Sequence, residues 1–439
     1  MTRFLDIKLL LVSAVLFSIM AGSAQGQEPA TSKELCEQKV AKYAIIQEII
    51  NPDTQLPDTM TTEQEATLKR AMLSSCMLSL KELEENWEKH KDNPGEFFTN
   101  YDMIKSVVTE EIFNEAFPNR AAQYTYENMI KSAMAFPFLC GEEGESEETC
   151  KREFATMFAH WMQETSGLRY QYECGDYPDS GTKTCGSNTY LSYQYFYNNK
   201  SNTPGEYQYW YIGRGPKQLS WNSNYGRFSW ALLGDSGKAM EFVEDPSKLL
   251  TDEYKDVSFM SAFWFYMTPM SLKPSMHEML TGGWVPNEKD KAANITAGFG
   301  ASINIINGGI ECDLKGGETK PGTKNRVSYY KGGQGQAGDP FTRGTLDLFG
   351  LTLDPNEKLY CDDMKVFPEG GEASYLMYYN RWGSCQMTAR ENPFGVYEST
   401  PMSAFGEKLC ENGLDCCRKA ATKGASGDMA IEDFVNKMK

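Results

Sequence analysis

Twelve cysteines, all located after an N-terminal export signal, restrict what this 439-residue chain can fold into. Arg3 and Lys8 precede an apolar run over residues 9–20 and then small residues, a pattern that predicts a secretory signal peptide at residues 1–26. An even number of cysteines in an oxidising compartment favours disulfides. The cysteines lack zinc-type spacing and the three histidines are scattered. We therefore expect a secreted, extracellular, disulfide-bonded protein with no metal site.

Charge and hydropathy narrow the range of partners. The net charge of -17 disfavours nucleic acid, since binding to phosphates requires patches of lysine and arginine. The apolar run of the signal is too short for a membrane span. A second apolar run, over residues 257–267, is also too short and predicts a buried helix. We expect no nucleic-acid partner and no membrane span, while the oligomeric state stays unknown.

Helical patterns and cysteine positions suggest how the chain is divided. One helical pattern covers residues 32–50, and a second runs from residue 62 to about residue 93. A bond between Cys36 and Cys76 would staple the two helices as an antiparallel pair. The predicted organisation is a signal peptide at 1–26, a helical N-terminal segment at 27–100, a central domain at 101–361 and a Cys-rich C-terminal extension at 362–439.

A carboxylate at the end of a predicted helix is the first candidate for chemistry. Apolar residues recur at helical spacing from Phe154 to Trp161, which predicts an amphipathic helix over residues 152–164 that ends near Gly167. Glu164 then lies in the last turn, where the helix dipole disfavours a carboxylate by about 0.3–1 kcal/mol. That effect is small, so an acid working near neutral pH also needs burial beside residues such as Trp161.

A second carboxylate, Glu173, follows nine residues later. Glycosidic bonds are cleaved by a pair of carboxyl groups, one of which acts as the acid and the other as base or nucleophile. A separation of about 6.5–9.5 Å implies inversion, and one of about 5 Å implies a covalent intermediate. Spacing in sequence does not decide between these distances. Asp176, Asp179 and Glu206 are rival candidates for the second role.

Ordered blocks spread over about half of the chain carry a more specific signal. They cover residues 124–136, 163–167, 211–226, 262–268, 273–277, 298–312 and 326–331. Residues 211–226 read Tyr-Ile-Gly-Arg-Gly-Pro-Lys-Gln-Leu-Ser-Trp-Asn-Ser-Asn-Tyr-Gly. The blocks resemble those of the family 19 glycoside hydrolases, the plant-type endochitinases, in which this stretch reads Tyr-Tyr-Gly-Arg-Gly-Pro-Ile-Gln-Leu-Ser-His-Asn-Tyr-Asn-Tyr-Gly.

The resemblance implies a fold and an activity. The fold would be α+β but mostly α-helical, with a two-lobed, lysozyme-like core around a central substrate cleft. The activity would be that of a secreted endochitinase, which hydrolyses β-1,4 linkages between N-acetylglucosamine units of chitin or chito-oligosaccharides by an inverting, two-carboxylate mechanism without a cofactor. Residues 101–361 would be the catalytic domain.

The resemblance also assigns roles to matching positions. Glu164 would be the general acid, Glu173 the base and Ser220 the residue that holds the attacking water, with Ser166 assisting. Gln218, Asn224 and Asn307 would bind the sugar, Glu311 and Arg326 would form a charged network that tunes the acid, and Cys312 and Cys361 would form a disulfide. The base is the weakest match, because plant members place it at the position of Gly186.

Three positions depart from the family pattern, and, separately, two other functions stay open. Gln163 and Trp221 replace histidines, and Ser223 replaces a tyrosine beside a sugar-binding asparagine. The alternatives are a non-catalytic chitin-binding or matrix protein and a peptidoglycan hydrolase. A binding protein has no chemical need for an acid, and a negative net charge repels anionic cell walls. Both considerations favour the chitinase.

Overall fold

The structure of this chain is a computed structural model that describes residues 29–40, 66, 70–172, 212–220, 222–233, 238, 241–254, 257–269, 272–333, 343–368, 370–373, 390–391 and 397–398. Its α-helices are α1 (Leu80–Lys89), α2 (Tyr101–Val107), α3 (Glu110–Ala116), α4 (Tyr126–Ala133), α5 (Glu147–Thr165), α6 (Asn222–Leu233), α7 (Glu241–Glu244), α8 (Val257–Met267), α9 (Met276–Thr281), α10 (Glu288–Ala292), α11 (Phe299–Glu311), α12 (Pro321–Lys331) and α13 (Thr345–Leu348). Short 3-10 helices lie at Pro94–Glu96, Pro246–Leu250 and Asp252–Tyr254. Strands β1 (Arg390–Glu391) and β2 (Tyr397–Glu398) pair antiparallel, with Arg390 opposite Glu398. The expected mostly helical class is confirmed.

The N-terminal segment differs from its prediction in one respect. Residues 32–40 and 70–74 are helical, but residues 75–79 are not, so a single helix from 62 to about 93 is wrong. Ser79 starts α1 instead, since its side chain accepts a hydrogen bond from the backbone N–H of Glu82 while Glu82 bonds back. Immediately before it, the backbone N–H of Leu78 donates to the carbonyl of Ala135 at 2.8 Å. The bond between Cys36 and Cys76 is present.

Helix α5 runs through the centre of the described core. Ser146 caps its first turn by accepting the N–H of Thr149, so the helix starts five residues before its predicted beginning. It ends at Thr165, and Ser166 takes the left-handed conformation of a C-terminal cap, one residue before the predicted Gly167. The face of α5 that contains Trp161 packs on α8. The end of α5 is therefore held by aromatic packing, which fixes where Glu164 projects.

Helix α8 confirms the buried helix that was predicted over residues 257–267. All residues from Val257 to Met267 are buried. None of the helices in the described parts of the chain is long and apolar enough to cross a membrane.

Residues 343–368 form a strap across α11 and α12. Glu357 accepts the backbone N–H of Phe299 at 3.0 Å and so caps the start of α11. The N–H of Gly300 donates to the carbonyl of Lys358 at 2.8 Å, and a Cβ at Gly300 would lie 2.7 Å from the carbonyl oxygen of Tyr360. This close approach requires glycine. Below these contacts, Phe349 and other apolar residues of the strap join the same hydrophobic core as α5.

Candidate active site

Glu164 lies in the last turn of α5, where the sequence pattern placed it. Its side chain is 19% exposed, and its Oε1 accepts a hydrogen bond from Nη2 of Arg326 at 2.6 Å. Thr165, the next residue, turns inward and donates its hydroxyl to the carbonyl of Trp161 at 2.6 Å. One carboxylate at the end of this helix thus reaches both solvent and a buried cation.

Arg326 on α12 connects two carboxylates. Its side chain is 2% exposed and also bonds Glu311, with Nη2 at 3.0 Å and Nε at 3.2 Å from Oε1. Burial alone would lower the pKa of Arg326, but Glu164 and Glu311 raise it above its ordinary value. The guanidinium therefore stays charged and fixes the distance between the ends of α5 and α11.

Glu311 is the most strongly bonded carboxylate of this group. It accepts hydrogen bonds from Nδ2 of Asn307 at 2.8 Å and from the hydroxyl of Thr323 at 3.1 Å, in addition to Arg326. Burial would raise the pKa of Glu311, but Arg326 and these two donors hold it below its usual range. A Cβ at Gly322 would lie 3.1 Å from this carboxyl group, so the first turn of α12 packs against it closely. These contacts favour the charged form of Glu311, the partner of the arginine.

Asn307 interrupts the helix that carries it. Its φ of -149° and ψ of 29° break the helical run of α11, and its side chain is half-buried. The kink precedes Gly308 and Gly309 and leaves Ile310 64% exposed. The end of α11 thus presents an amide, two glycines and an apolar side chain beside the charged group.

The loop over residues 212–220 is a tight turn. Arg214 pairs with Leu219 and also with Tyr172, and a positive φ at Gln218 closes the turn. Nε2 of Gln218 donates to the carbonyl of Gly215 at 2.9 Å, while its buried Oε1 has no partner among the described residues. Gln218, which was predicted to bind the sugar, thus uses its amide N–H to hold its own loop. Its amide oxygen has no hydrogen-bond partner among the described residues.

The other predicted site residues are distributed around this loop and helix. Nδ2 of Asn224 donates to the carbonyl of Ser220 at 2.9 Å, and both residues are half-buried. Ser166 is exposed. Glu173, the predicted base, lies outside the described residues. Hydrogen bonds thus unite Glu164, Arg326, Glu311 and Asn307 in one network, and the predicted disulfide of Cys312 and Cys361 is present next to it.

Sequence reasoning missed His160, a second buried partner of Arg326. Its Nδ1 lies 3.2 Å from Nη1 of Arg326, and its Nε2 lies 2.8 Å from the hydroxyl of Ser302. That hydroxyl already donates to the carbonyl of Phe299, so Nε2 carries the proton and Nδ1 accepts from the arginine. Burial, Arg326 and Lys217 together lower the pKa of His160 well below its usual range. Its position four residues before Glu164 on α5 was the available signal.

Lys217 is the other residue that sequence reasoning missed. It is 8% exposed, and its ammonium lies 4.0 Å from the centroid of the Phe265 ring. Burial lowers the pKa of Lys217 to about 8, although Glu164 acts to raise it. The family block quoted above has isoleucine at this position, which was the signal in the sequence.

A second charged cluster lies around His277 on α9. Its Nδ1 is 2.6 Å from Oε1 of Glu153, and its Nε2 is 3.2 Å from Oε1 of Glu142. Arg70 of the N-terminal segment bonds the other oxygen of Glu142 at 2.5 Å. Burial would lower the pKa of His277, but the two carboxylates raise it to about 10. This cluster joins the N-terminal segment to α5 and α9.

The described residues include one group with three side chains of metal-ligand type, Cys140, Glu145 and Glu153. Cys140 is bonded to Cys150, so its sulfur cannot act as a thiolate ligand. The group therefore supplies two carboxylates, which is too few for a defined site.

The described site thus places a half-buried glutamic acid against a buried arginine in a mostly helical protein. The model of the chitinase class I family matches residues 102–335, and the chain belongs to this family. It is an enzyme of the family 19 glycoside hydrolases.

Individual proteins are similar to this chain. The chain is 35% identical over 248 residues to a basic endochitinase of Vitis vinifera, covering 52% of this chain and 70% of the relative. It is 35% identical over 246 residues to endochitinase 1 of Theobroma cacao, covering 52% and 68%. A crystal structure of chitinase C from Streptomyces griseus HUT6037 is similar at 28% identity and a TM-score of 0.40, covering 58% of this chain and 97% of that one.

Proposed function

We propose that this protein is a secreted endochitinase that hydrolyses internal β-1,4 linkages of chitin and chito-oligosaccharides with inversion at the anomeric carbon. The observation that carries this proposal is the contact between Glu164 and Arg326, which holds a carboxyl group at the end of α5 while leaving part of it exposed. The residues that surround it come from blocks shared with the family.

The chemistry would be divided between two carboxyl groups. Protonated Glu164 donates its proton to the glycosidic oxygen as the bond to the leaving sugar breaks. Glu173 takes a proton from a water molecule held by Ser220 with help from Ser166, and that water attacks the anomeric carbon from the opposite face. Before the next turnover, Glu173 releases its proton to solvent and Glu164 takes one up, which restores both groups.

Positioning would come from the charged network and the sugar-binding amides. Arg326, itself held by Glu311, keeps the Glu164 carboxyl in one orientation. Gln218, Asn224 and Asn307 would bind the hydroxyl and acetamido groups of the substrate. Pre-arranged groups of this kind contribute by avoiding reorganisation during the reaction.

A chitin hexamer tests the proposal directly. Glu164→Gln should reduce turnover by about 10²–10⁴-fold, because a general acid contributes that much. Glu173→Gln should do the same if it is the base. Glu148→Gln is the matched control, since Glu148 lies at the opposite end of α5 with a side chain 72% exposed. It should retain wild-type turnover.

The stereochemistry and the substrate range separate the alternatives. Proton NMR of fresh products should show the α-anomer, and an initial β-anomer would contradict inversion. Binding of the hexamer by the wild type without cleavage would establish the matrix-protein alternative. Cleavage of peptidoglycan in place of chitin would establish the other hydrolase.

A further inference from the structure

His160 is a buried side chain that the proposed mechanism does not use, and it contacts the arginine that holds the candidate acid. Its Nδ1 lies 3.2 Å from Nη1 of Arg326, whose Nη2 donates to Oε1 of Glu164 at 2.6 Å. A single guanidinium group therefore separates the imidazole from the candidate acid. Each step of this link is a direct contact between two side chains.

The guanidinium group of Arg326 is held on two sides. Glu311 bonds Nε at 3.2 Å and Nη2 at 3.0 Å, and Glu164 also bonds Nη2. The two carboxylates thus hold the same edge of a planar group, and a plane that is held along one edge can still rock about it. The bond from Nη1 to His160 lies outside this edge and supplies the third point that fixes the plane.

A neutral imidazole suits this position chemically. It accepts a hydrogen bond at Nδ1 only when its proton is on Nε2. Ser302 sets that tautomer, since its hydroxyl donates to the carbonyl of Phe299 at 2.7 Å and so accepts from Nε2 at 2.8 Å. A carboxylate in place of His160 would compete with Glu164 for the charge of the arginine. A neutral acceptor orients the guanidinium group and leaves its charge available.

The plane of the imidazole is itself held by two further rings. The imidazole stacks on Phe299 with ring centroids 5.1 Å apart and an interplanar angle of 6°, and Phe299 stacks on Tyr330 at 4.0 Å and 11°. Contact between parallel faces limits tilting of the imidazole. The stack joins α5, α11 and α12, the three helices that carry Glu164, Glu311 and Arg326.

We propose that His160 is a positioning residue for the candidate general acid. It accepts a hydrogen bond from Arg326 and fixes the plane of the guanidinium group, which in turn orients the carboxyl group of Glu164. Misplacement of a reacting group by about 1 Å can cost on the order of 100-fold in rate, so the rigidity of the arginine affects turnover. This inference rests on the proposed function.

The test compares kcat and KM on the chitin hexamer in two variants. His160→Leu keeps an apolar side chain against Phe299 but removes both hydrogen bonds, so kcat should fall by about 10-fold or more with KM nearly unchanged. His160→Gln offers an amide oxygen to Arg326 and an amide N–H to Ser302, so kcat should stay within about threefold of the wild type. A wild-type kcat in His160→Leu, or equal losses in the two variants, would overturn the proposal.

A double substitution separates positioning from a purely structural role. In an Arg326→Met background, His160 has no guanidinium group to hold. Adding His160→Leu to this background should therefore change kcat by less than about twofold. A structural role would lower kcat to the same extent in both backgrounds, and that result would overturn the proposal.

The second buried histidine provides the matched control. His277 is as deeply buried as His160, but its ring bonds Glu153 and Glu142 in the second charged cluster. His277→Gln should therefore retain kcat. A loss of kcat as large as that in His160→Leu would show that disturbance of any buried histidine lowers turnover, and would overturn the proposal.

A measurement on the wild type covers the case in which His160→Leu does not fold. The chain has three histidines, and the ring signals of His160 are identified by their loss in His160→Gln. ¹H–¹⁵N correlation spectra should show a proton on Nε2 and none on Nδ1. A proton on Nδ1 would make this nitrogen a donor toward Arg326 and would overturn the proposal.

The hexamer assay also separates failure of this inference from failure of the proposed function. Absence of cleavage by the wild type would refute the proposed function. Cleavage by the wild type with an unaffected kcat in His160→Leu would refute only the role of His160.

Discussion

Two buried histidines, one on α5 and one in contact with it, experience opposite electrostatics. His160 and His277 are 2% and 0% exposed, so burial by itself acts to lower the pKa of both. His160 faces the cations Arg326 and Lys217 and is neutral. His277 faces the carboxylates Glu153 and Glu142 and is charged. The comparison shows that the charge of the neighbours, not the depth of burial, decides the protonation state of a core histidine.

This difference has a functional counterpart. A neutral His160 accepts a hydrogen bond from Arg326 without neutralising it. The positive charge of the arginine is therefore balanced by Glu164 and Glu311. A charged His277 is neutralised by its own carboxylates, within a cluster that is closed by Arg70. The first network orients a candidate catalytic group, and the second holds parts of the fold together.

The largest expected effect distinguishes these two roles. Arg326→Met leaves two carboxylates without their cation. We therefore expect turnover to fall by at least roughly 100-fold. We also expect the free energy of unfolding to fall by about 3–5 kcal/mol. Glu153→Gln should lose about 3 kcal/mol of stability while retaining kcat. Hexamer hydrolysis and urea unfolding measure the two quantities. Equal losses of kcat in both variants would contradict the distinction.

The charged histidine predicts a loss of stability at high pH. The folded-state pKa of His277, about 10, lies above the ordinary 6.5, so its contribution is complete below pH 6.5 and disappears as pH rises to about 10. In the wild type this amounts to about 1.4 kcal/mol per pH unit at most. His277→Gln should flatten that decline in urea unfolding between pH 6.5 and 10.

The neighbouring carboxyl group of Glu145 also makes stability decline as the pH rises, so part of the decline remains in His277→Gln. Burial and the charge of Glu153 raise the pKa of Glu145 to about 9, which gives a loss of the same sign as pH rises from 4.5 to 9. Glu145→Gln is therefore the control that isolates the part due to His277. A slope unchanged in His277→Gln would show that this histidine is not charged.

The neutral histidine, His160, predicts that stability is lost as the pH falls, the opposite direction to that of His277. The pKa of His160 is depressed, so its contribution is complete above pH 6.5 and disappears as pH falls below that value. His160→Gln, whose amide can still donate to Ser302, should reduce the loss of stability between pH 6.5 and 5. Thermal unfolding over this interval measures it. A larger acid-side loss in the variant would mean that the wild-type ring is protonated.

The smallest expected effect concerns a single hydrogen bond to Glu311. Thr323→Val removes the hydroxyl donor at 3.1 Å but leaves Arg326 and Asn307 in place, so we expect a cost of about 1 kcal/mol. Turnover should fall less than 10-fold, since the arginine still fixes Glu164. A loss as large as that of Arg326→Met would show that the network acts as one unit.

The spacing of apolar residues predicted those helices whose packing residues lie in one short stretch of sequence. Helices α5 and α8 follow from apolar spacing, since their buried residues come from one continuous stretch. The break at residues 75–79 was not predicted, because it depends on a contact of Leu78 with Ala135, far away in sequence. Helical propensity carries no information about that partner.

Some residues of the candidate site were likewise predicted from the sequence, and others were not. Glu164, Glu311 and Arg326 were identified from ordered family blocks, and the structure brings them within hydrogen-bonding distance. His160 and Lys217 were not identified, since a histidine in a helix and a lysine in a loop are usually exposed. Only the packing of α5, α8, α11 and α12 around them shows that they are buried.

The disulfide between Cys312 and Cys361 joins two parts of the chain that are synthesised at different times. Translation produces Glu164 almost two hundred residues before Cys361. Glu311 directly precedes the first cysteine of the pair, so oxidation anchors the peptide next to the carboxylate that holds Arg326. A nascent chain that stops short of residue 361 has all the residues of the charged network but lacks this covalent anchor. Oxidation of this pair is therefore the step that covalently fixes the end of α11 once synthesis has passed residue 361.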